Sequence, residues 1–366
     1  MWARRSGVLT ALILTAILLY LMPGLVRGRL NDTGGRMDER LRPAPARTLV
    51  VWVISDAAED RKLLSTLCSA FEKEQKGLHV YLRRVDAEEL YAQDAVLPDV
   101  LMHVTGEITA SEEILLPLHM PDGMPELLAS SGRSKGVQYA LPLWYSPNVL
   151  SLPRSWFVTE GKDQVTITEG SYFSLQTPTP TEVDPDLPVI DNLPWAKLTE
   201  CGTIRSLSSV GFQQLLLCCP MSLRQELSAC VPTNESAPEE ALLQSLTQHE
   251  SAVAAGSALA GVALSPVVSD RVRYVSLCRD GADARAFAAY LLSDAAQQQT
   301  AAHLLLPVQN SLQWPGSGLM SELGRAAQES LLLPNCFAHT REEIRSLCMD
   351  DFRRGEDAAV TLLRLR

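Results

Sequence analysis

The sequence predicts an α/β protein in which helices cover a largely parallel sheet. Three observations point that way. A continuous apolar, β-branched run, Leu49 to Ile54, opens the folded part, strand and helix patterns then alternate strictly as far as Val104, and helical spacing returns in the last third. Alternation of this kind builds a layered sheet whose ligands sit at the carboxyl ends of the strands. With 366 residues and 46% hydrophobic composition, the chain can bury a large core, and its length fits one unit of two lobes better than one compact domain.

Ahead of the folded part, Arg4 and Arg5 precede an uncharged apolar run from Gly7 to Val26. That is about the ~20 residues needed to cross a bilayer as a helix. A cleaved signal peptide would have a shorter apolar core followed closely by a small-x-small triplet, and the nearest one, Ala44-Pro45-Ala46, lies far downstream. The expectation is therefore an uncleaved signal anchor over 1–26. Residues 27–47 are polar, with paired glycines and alternating prolines, which reads as a spacer.

In order, Leu49 to Ile54 is apolar throughout, as expected of a strand covered on both faces. Ser55-Asp56 makes a turn. Asp60 to Gln75 places Leu63, Leu64, Leu67 and Phe71 at helical spacing, and Gly77 ends that helix. A strand at Leu78 to Val85, an acidic helix at Ala87 to Ala95 and a strand at Val100 to Val104 follow. From Pro153 to Trp195 the pattern dissolves into Thr, Pro, Asp and Gly. Helical spacing returns at Ile204 to Cys219, at Glu239 to Gly256 and at Asp283 to His303, with Ser293-Asp294 as a cap or break inside the last.

Composition and motifs narrow the function. Against 32 Lys+Arg stand 43 Asp+Glu, a net charge of -11, which repels phosphate backbones and disfavours nucleic acid as a partner. HExxH and GxxxxGK[ST] are missing from the sequence, so no enzyme is expected. Gly256 to Gly261 has two glycines of a phosphate loop without its lysine. Six histidines lie scattered without a metal-ligand spacing, so neither metal nor cofactor is expected. Eight cysteines without a CxxC leave two readings open, disulfides in an oxidising compartment or buried free thiols.

Four segments, in this order, resemble the family-1 extracellular solute-binding proteins of ABC importers, the maltose-binding-protein-like group. They are "LVVWVISDAAEDRKLLSTLCSAFEKEQKGLHV" (Leu49 to Val80), "LPDVLMHVTGEI" (Leu97 to Ile108), "GVQYALPLWYSPNVL" (Gly136 to Leu150) and "AFAAYLLSDAAQQQTAAHLLLPV" (Ala286 to Val308). They correspond to the family's opening strand, ligand loop and helix, its Pro-Asp strand, its Gly-x-x-Tyr-x-x-Pro passage between lobes, and the helix pair with Leu-Leu-Ser-x-x-x-Gln before Leu-Pro-Val. The Tyr-Asn pair usual after the first crossover is absent, its place falling near Leu152-Pro153, and so is the Thr-Trp-x-Glu signature of the second lobe.

The resemblance implies a two-lobed, type II periplasmic-binding-protein-like α/β fold. Lobe 1 is then 48–148 and 271–310, and lobe 2 is 149–270 and 311–366, with crossings near Tyr145 to Leu150, Val267 to Tyr274 and Gln309 to Pro315. It further implies capture of a small polar solute, a sugar, between lobes that close about a hinge, with delivery to ABC permease subunits and the folded body outside the cell membrane. A membrane-tethered sensor or partner subunit on the same fold is the alternative. The ligand-binding candidates are Ser55, Asp56, His103, Glu107, Trp144, Tyr145, Tyr172 and Trp195. Asp56 matches a sugar-contacting aspartate of the group, or caps the following helix. His103 falls where a ligand-stacking tryptophan is expected and Glu107 at a polar contact position, with an ordinary loop residue as the better reading for each. Trp144 and Tyr145 sit at the first crossover, with core packing as their other role, and for Tyr172 and Trp195 a core role is the better reading. Trp52, inside a buried strand, belongs to the core.

Overall fold

The computed structural model describes residues 47–54, 58–92, 96–109, 113–121, 124–153, 171–173, 203–206, 214–215, 231–233, 242–257, 259–264, 267–308, 318–329 and 331–354. The apolar run at 7–26 and residues 27–46 of the spacer lie outside these, and Arg47, expected to end the spacer, instead opens the first strand. Among the described residues no helix is long and apolar enough to cross a membrane.

The first of two six-stranded sheets contains β1 (Arg47–Ile54), β2 (Leu78–Val85), β3 (Val100–Val104), β6 (Leu141–Tyr145), β14 (Val272–Leu277) and β15 (Leu306–Pro307), in the spatial order β15-β6-β14-β3-β1-β2. β1 and β3 are parallel, whereas β14 runs antiparallel to both β3 and β6. Between β3 and β6 come the short pair β4 (Arg133–Ser134) and β5 (Val137–Gln138). The second sheet contains β7 (Asn148–Pro153), β8 (Ser171–Phe173), β9 (Thr203–Ser206), β10 (Val231–Thr233), β11 (Leu242–Ser245) and β12 (Leu259–Leu264), in the order β10-β9-β11-β7-β12-β8. A separate parallel pair joins β13 (Val267–Val268) to β16 (Leu331–Leu332). The helices are α1 (Ala58–Glu74), α2 (Ala87–Leu90), α3 (Glu126–Ser130), α4 (Leu246–Ala254), α5 (Ala282–Leu291), α6 (Asp294–Ala302), α7 (Gly318–Glu329) and α8 (Arg341–Arg354).

Residues 47–48 belong with the turn Gln75–His79. There the Arg47 N–H donates to the Gly77 carbonyl at 3.1 Å, and Gly77 adopts a φ of 77°, a left-handed conformation that glycine enters without steric cost. The rest of the described chain forms the larger unit.

In the larger unit, α1, α5 and α6 cover one face of the first sheet, because their apolar residues recur on one side. The Phe71 ring meets Phe287 at 5.1 Å and Tyr290 at 5.2 Å. On the other face Trp52, Ile54, Leu101, Ile108, Leu115, Tyr139 and Cys278 form a buried cluster with Phe337 packed against it. Trp52 is thus in the core, with the Arg83 guanidinium over its ring, 5.2 Å from the centroid. Asp99 starts β3. Its carboxylate accepts from the Val50 N–H at 2.8 Å, its N–H donates to Val50 O at 2.9 Å, and its carbonyl accepts from Cys278 at 3.1 Å. One residue therefore sets the register of three strands.

Several elements differ from expectation. The helical run at Glu239 to Gly256 is divided, because Ser245 ends β11 and opens α4 with a capping box: its Oγ accepts from the Gln248 N–H at 3.3 Å while Gln248 Oε1 accepts from the Ser245 N–H at 3.1 Å. Ile204–Ser206, expected to begin a helix, lies in β9 (Thr203–Ser206), fixed by parallel pairing to β10 and β11. α2 stops at Leu90, short of Ala95. The glycine pair at 256 and 261 makes no phosphate loop, since Gly261 lies within β12, where an added Cβ would stand 2.4 Å from Leu319 Cδ2 and 2.7 Å from His249 Nε2.

Two segments that join the sheets run side by side. The Ser146 N–H donates to Arg271 O at 3.1 Å, Ser269 Oγ to Ser146 O at 2.7 Å, and Asn148 Nδ2 to Val268 O at 3.3 Å. A third, at β16, lies beside β13. The expected third crossing at Gln309 to Pro315 falls outside the described residues.

Candidate functional site

The carboxyl end of the first sheet holds an ion pair. Arg273 stands opposite Trp144 in the register of β14 and β6, just before a one-residue slip between Arg273 and Tyr274. Its Nε and Nη2 donate to Asp60 Oδ2 at 2.9 and 2.5 Å, and its Nη1 donates to the Ile54 carbonyl at 2.8 Å. Trp144 Nε1 donates to the other carboxylate oxygen of Asp60 at 3.2 Å. Arg273 and Trp144 are each 1% exposed and Asp60 is 6% exposed. The cluster thus ties β1, β6 and β14 to the first turn of α1. An acid there is well placed, because helix N-termini favour negative charge.

A second polar group lies at the end of β3. His103 faces Tyr274 across the β3–β14 register, and the rings stack at 5.5 Å with 14° between their planes. His103 Nε2 is hydrogen bonded with Ser276 Oγ at 3.0 Å. Tyr274 OH donates to Ser131 Oγ at 3.0 Å, and Ser131 donates on to Leu128 O at 2.6 Å. Phe337 completes the enclosure, 5.9 Å from the His103 ring. Burial, reinforced by the Arg273 charge, pushes the His103 imidazole down to about 3.

That depression makes an acid-sensitive contact. Unfolded, the imidazole takes up its proton near pH 6.5; folded, it resists down to about 3, so the unfolded state binds more protons between those values and stability falls as pH falls. Lowering the pH from 7 to 5 is expected to remove about 2 kcal/mol through this group, and the loss should shrink by that amount in His103→Gln. Urea unfolding of both proteins at the two pH values measures it; equal losses in both would show that His103 does not carry the effect.

The sequence-predicted residues fall in different places. Trp144 and Tyr145 lie in β6 and are buried, and burial pushes the Tyr145 phenol above its ordinary value. Glu107 is half-buried in the turn after β3, where its N–H donates to Val104 O at 3.2 Å and Gly106 has a φ of 73°. Tyr172 pairs in β8 with Ala263 of β12. Ser55, Asp56 and Trp195 lie outside the described residues. His103, Trp144 and Tyr145 therefore come together at one end of the first sheet, and each is enclosed by its own chain. Asp60, Arg273 and Phe337 are the residues sequence reasoning passed over. Arg273 carried a signal: a charge inside the apolar strand VRYVSL, with every residue buried, requires a buried partner.

The four described cysteines, Cys68, Cys278, Cys336 and Cys348, are buried free thiols. Burial pushes Cys68, Cys278 and Cys348 up to about 12, which removes thiolate character. Among the described residues no group of His, Cys, Asp and Glu is placed to hold a metal ion.

No protein-family model and no curated relative matches the chain. Among solved structures it is similar to the sugar-binding protein MalE of Xanthomonas citri, at 13% identity and a TM-score of 0.55, over 87% of this chain and 95% of that one. It is also similar to the cyclic α-maltosyl-1,6-maltose binding protein of Arthrobacter globiformis, at 11% identity and a TM-score of 0.54, over 86% and 96%. The GacH receptor of Streptomyces glaucescens, solved unliganded and with acarbose, aligns at 15% identity and a TM-score of 0.53, over 86% and 96%. The chain has the α/β fold of the maltose-binding-protein-like solute-binding proteins.

Proposed function

We propose that this chain is an extracytoplasmic solute-binding protein, held at the membrane by its N-terminal apolar run, that captures a carbohydrate by hinge closure and delivers it to the permease subunits of an ABC importer. The observation that carries this reading is the fold, which aligns over 86–87% of the chain with proteins that bind sugars. Support comes from the adjoining segments at Ser146–Asn148 and Val268–Arg271, whose mutual hydrogen bonds give a compact set of residues able to absorb a hinge rotation. Binding rather than catalysis is the activity of this fold's sugar-binding members.

Ligand binding stabilises the folded state by RT ln(1 + [L]/Kd). Maltose, raffinose or mannotriose at millimolar concentration is therefore expected to raise the melting temperature by a few degrees. A broad panel of mono- and oligosaccharides without a shift would count against the reading. The enclosure of His103, Trp144 and Tyr145 by the chain's own residues favours a second reading, a tethered sensor or partner subunit that has given up its small ligand. Crosslinking in membranes separates the two, by recovery of permeases in the first case and of another class of partner in the second.

A further inference from the structure

The end of β3 is covered by the segment that follows β16. Asn335 Nδ2 donates to the carbonyls of Ser130 and Arg133 at 3.2 and 2.9 Å, and its Oδ1 accepts from the Phe337 N–H at 3.0 Å. The Cys336 N–H donates to Ser131 O at 2.8 Å, and Cys336 O accepts from the Gly106 N–H at 3.1 Å. Phe337 then lies against the His103 ring. Residues 333–337 have no helix or strand structure of their own, so these hydrogen bonds and the burial of Leu333, Pro334 and Cys336 seat the segment.

What the segment covers is polar. His103, Thr105, Ser131, Tyr274 and Ser276 gather beneath it, all at 3% exposure or less. Thr105 Oγ1 lies beside the Tyr274 hydroxyl and interacts with it, whereas His103 Nδ1 makes no hydrogen bond among the described residues. Leaving such an atom unmet costs about 1–3 kcal/mol. Lifting the segment relieves that cost by admitting water or a polar ligand, and this offsets part of the lost Phe337 packing.

We propose that Leu333–Phe337 is a releasable strap over this polar cluster, opening without global unfolding and gating access to His103. The proposal rests on the solute-binding reading for its purpose, as control of that site, but not for its test. Opening of a local segment is detected when its residues react faster than those of the surrounding core. Cys336 lies within the strap, whereas Cys68 lies on α1, packed into the core.

The full chain is treated under native conditions with N-ethylmaleimide and, separately, with diethylpyrocarbonate, and the modified residues are assigned by peptide mass spectrometry. Cys336 is expected to react at least about tenfold faster than Cys68, with His103 acylation responding to strap changes in the same direction. Phe337→Ala should raise both the Cys336 and His103 rates and leave Cys68 unchanged; Asn335→Ala, which removes two anchoring bonds, should do the same. Equal rates at Cys336 and Cys68 in the unsubstituted chain would overturn the strap, and so would a His103 rate unmoved by either substitution. Because neither readout involves a sugar, a failed saccharide panel sinks the solute reading alone.

Discussion

Asp60→Ala is expected to lower the free energy of unfolding by about 3–5 kcal/mol, since it takes the carboxylate of a buried ion pair away from its guanidinium. Arg273 keeps its bond to the Ile54 carbonyl but loses its carboxylate, and Trp144 Nε1 loses its acceptor. Asp60→Asn retains the volume but removes the charge and should recover only part of the loss. The paired substitution Asp60→Leu with Arg273→Met is expected to lie closer to the unsubstituted protein than Asp60→Ala does, because it removes both charges together. Urea denaturation of the four proteins tests this. A loss below about 1 kcal/mol for Asp60→Ala, the range of exposed pairs, would show that water reaches the pair.

The same cluster also joins β1 to α1. Ile54 ends β1 and Asp60 lies in the first turn of α1, so the Arg273 guanidinium clamps both ends of the connection that carries Ser55 and Asp56. A charge that looks out of place in its strand acts here by joining the end of one strand to the start of a helix. Its sequence neighbours gave no hint of the partner, which lies 213 residues away.

Much of the first sheet was legible because local pattern and tertiary role agree there. Leu78–Val85 and Val100–Val104 occur with the bounds their patterns predict, and Ser293 divides α5 from α6, accepting from the Ala296 N–H at 3.4 Å. The segments that carried the family resemblance prove to hold structural connections. Phe71 packs against α5, Glu72 Oε1 accepts from the Val80 N–H at 2.7 Å, and Asp99 joins three strands. These are demands of the fold, which is why they are visible at 11–15% identity.

The site was less legible for a physical reason. Local sequence marks His103 and Trp144 as polar or aromatic residues near strand ends, but what encloses them arrives from β14 and from residues 333–337, far along the chain. The second sheet was hard to read for a related reason. β9 and β10 are short strands held by pairing to each other and to β11, so tertiary pairing, rather than a long periodic pattern, defines them.

Gln297→Ala is expected to cost about 2–4 kcal/mol, a large effect for one uncharged side chain, because that side chain meets three backbone groups. Gln297 is fully buried on α6. Its Nε2 donates to Leu143 O at 3.1 Å and to Leu291 O at 2.9 Å, and its Oε1 accepts from the Val308 N–H at 2.9 Å. Pro307 has no N–H, so Val308 supplies the donor by which the end of β15 is held, and β15 in turn pairs with Trp144 and Tyr145 of β6. Gln297→Leu fills nearly the same volume and leaves the same three groups unmet, so it should cost nearly as much as Ala. Gln297→Glu keeps an acceptor for Val308 but sets a carboxylate against two carbonyls, and should do no better. Chemical denaturation with hydrogen exchange at Val308 reads both the global and the local effect. Full stability in Gln297→Leu would mean that packing, and not these bonds, fastens β15 to the sheet.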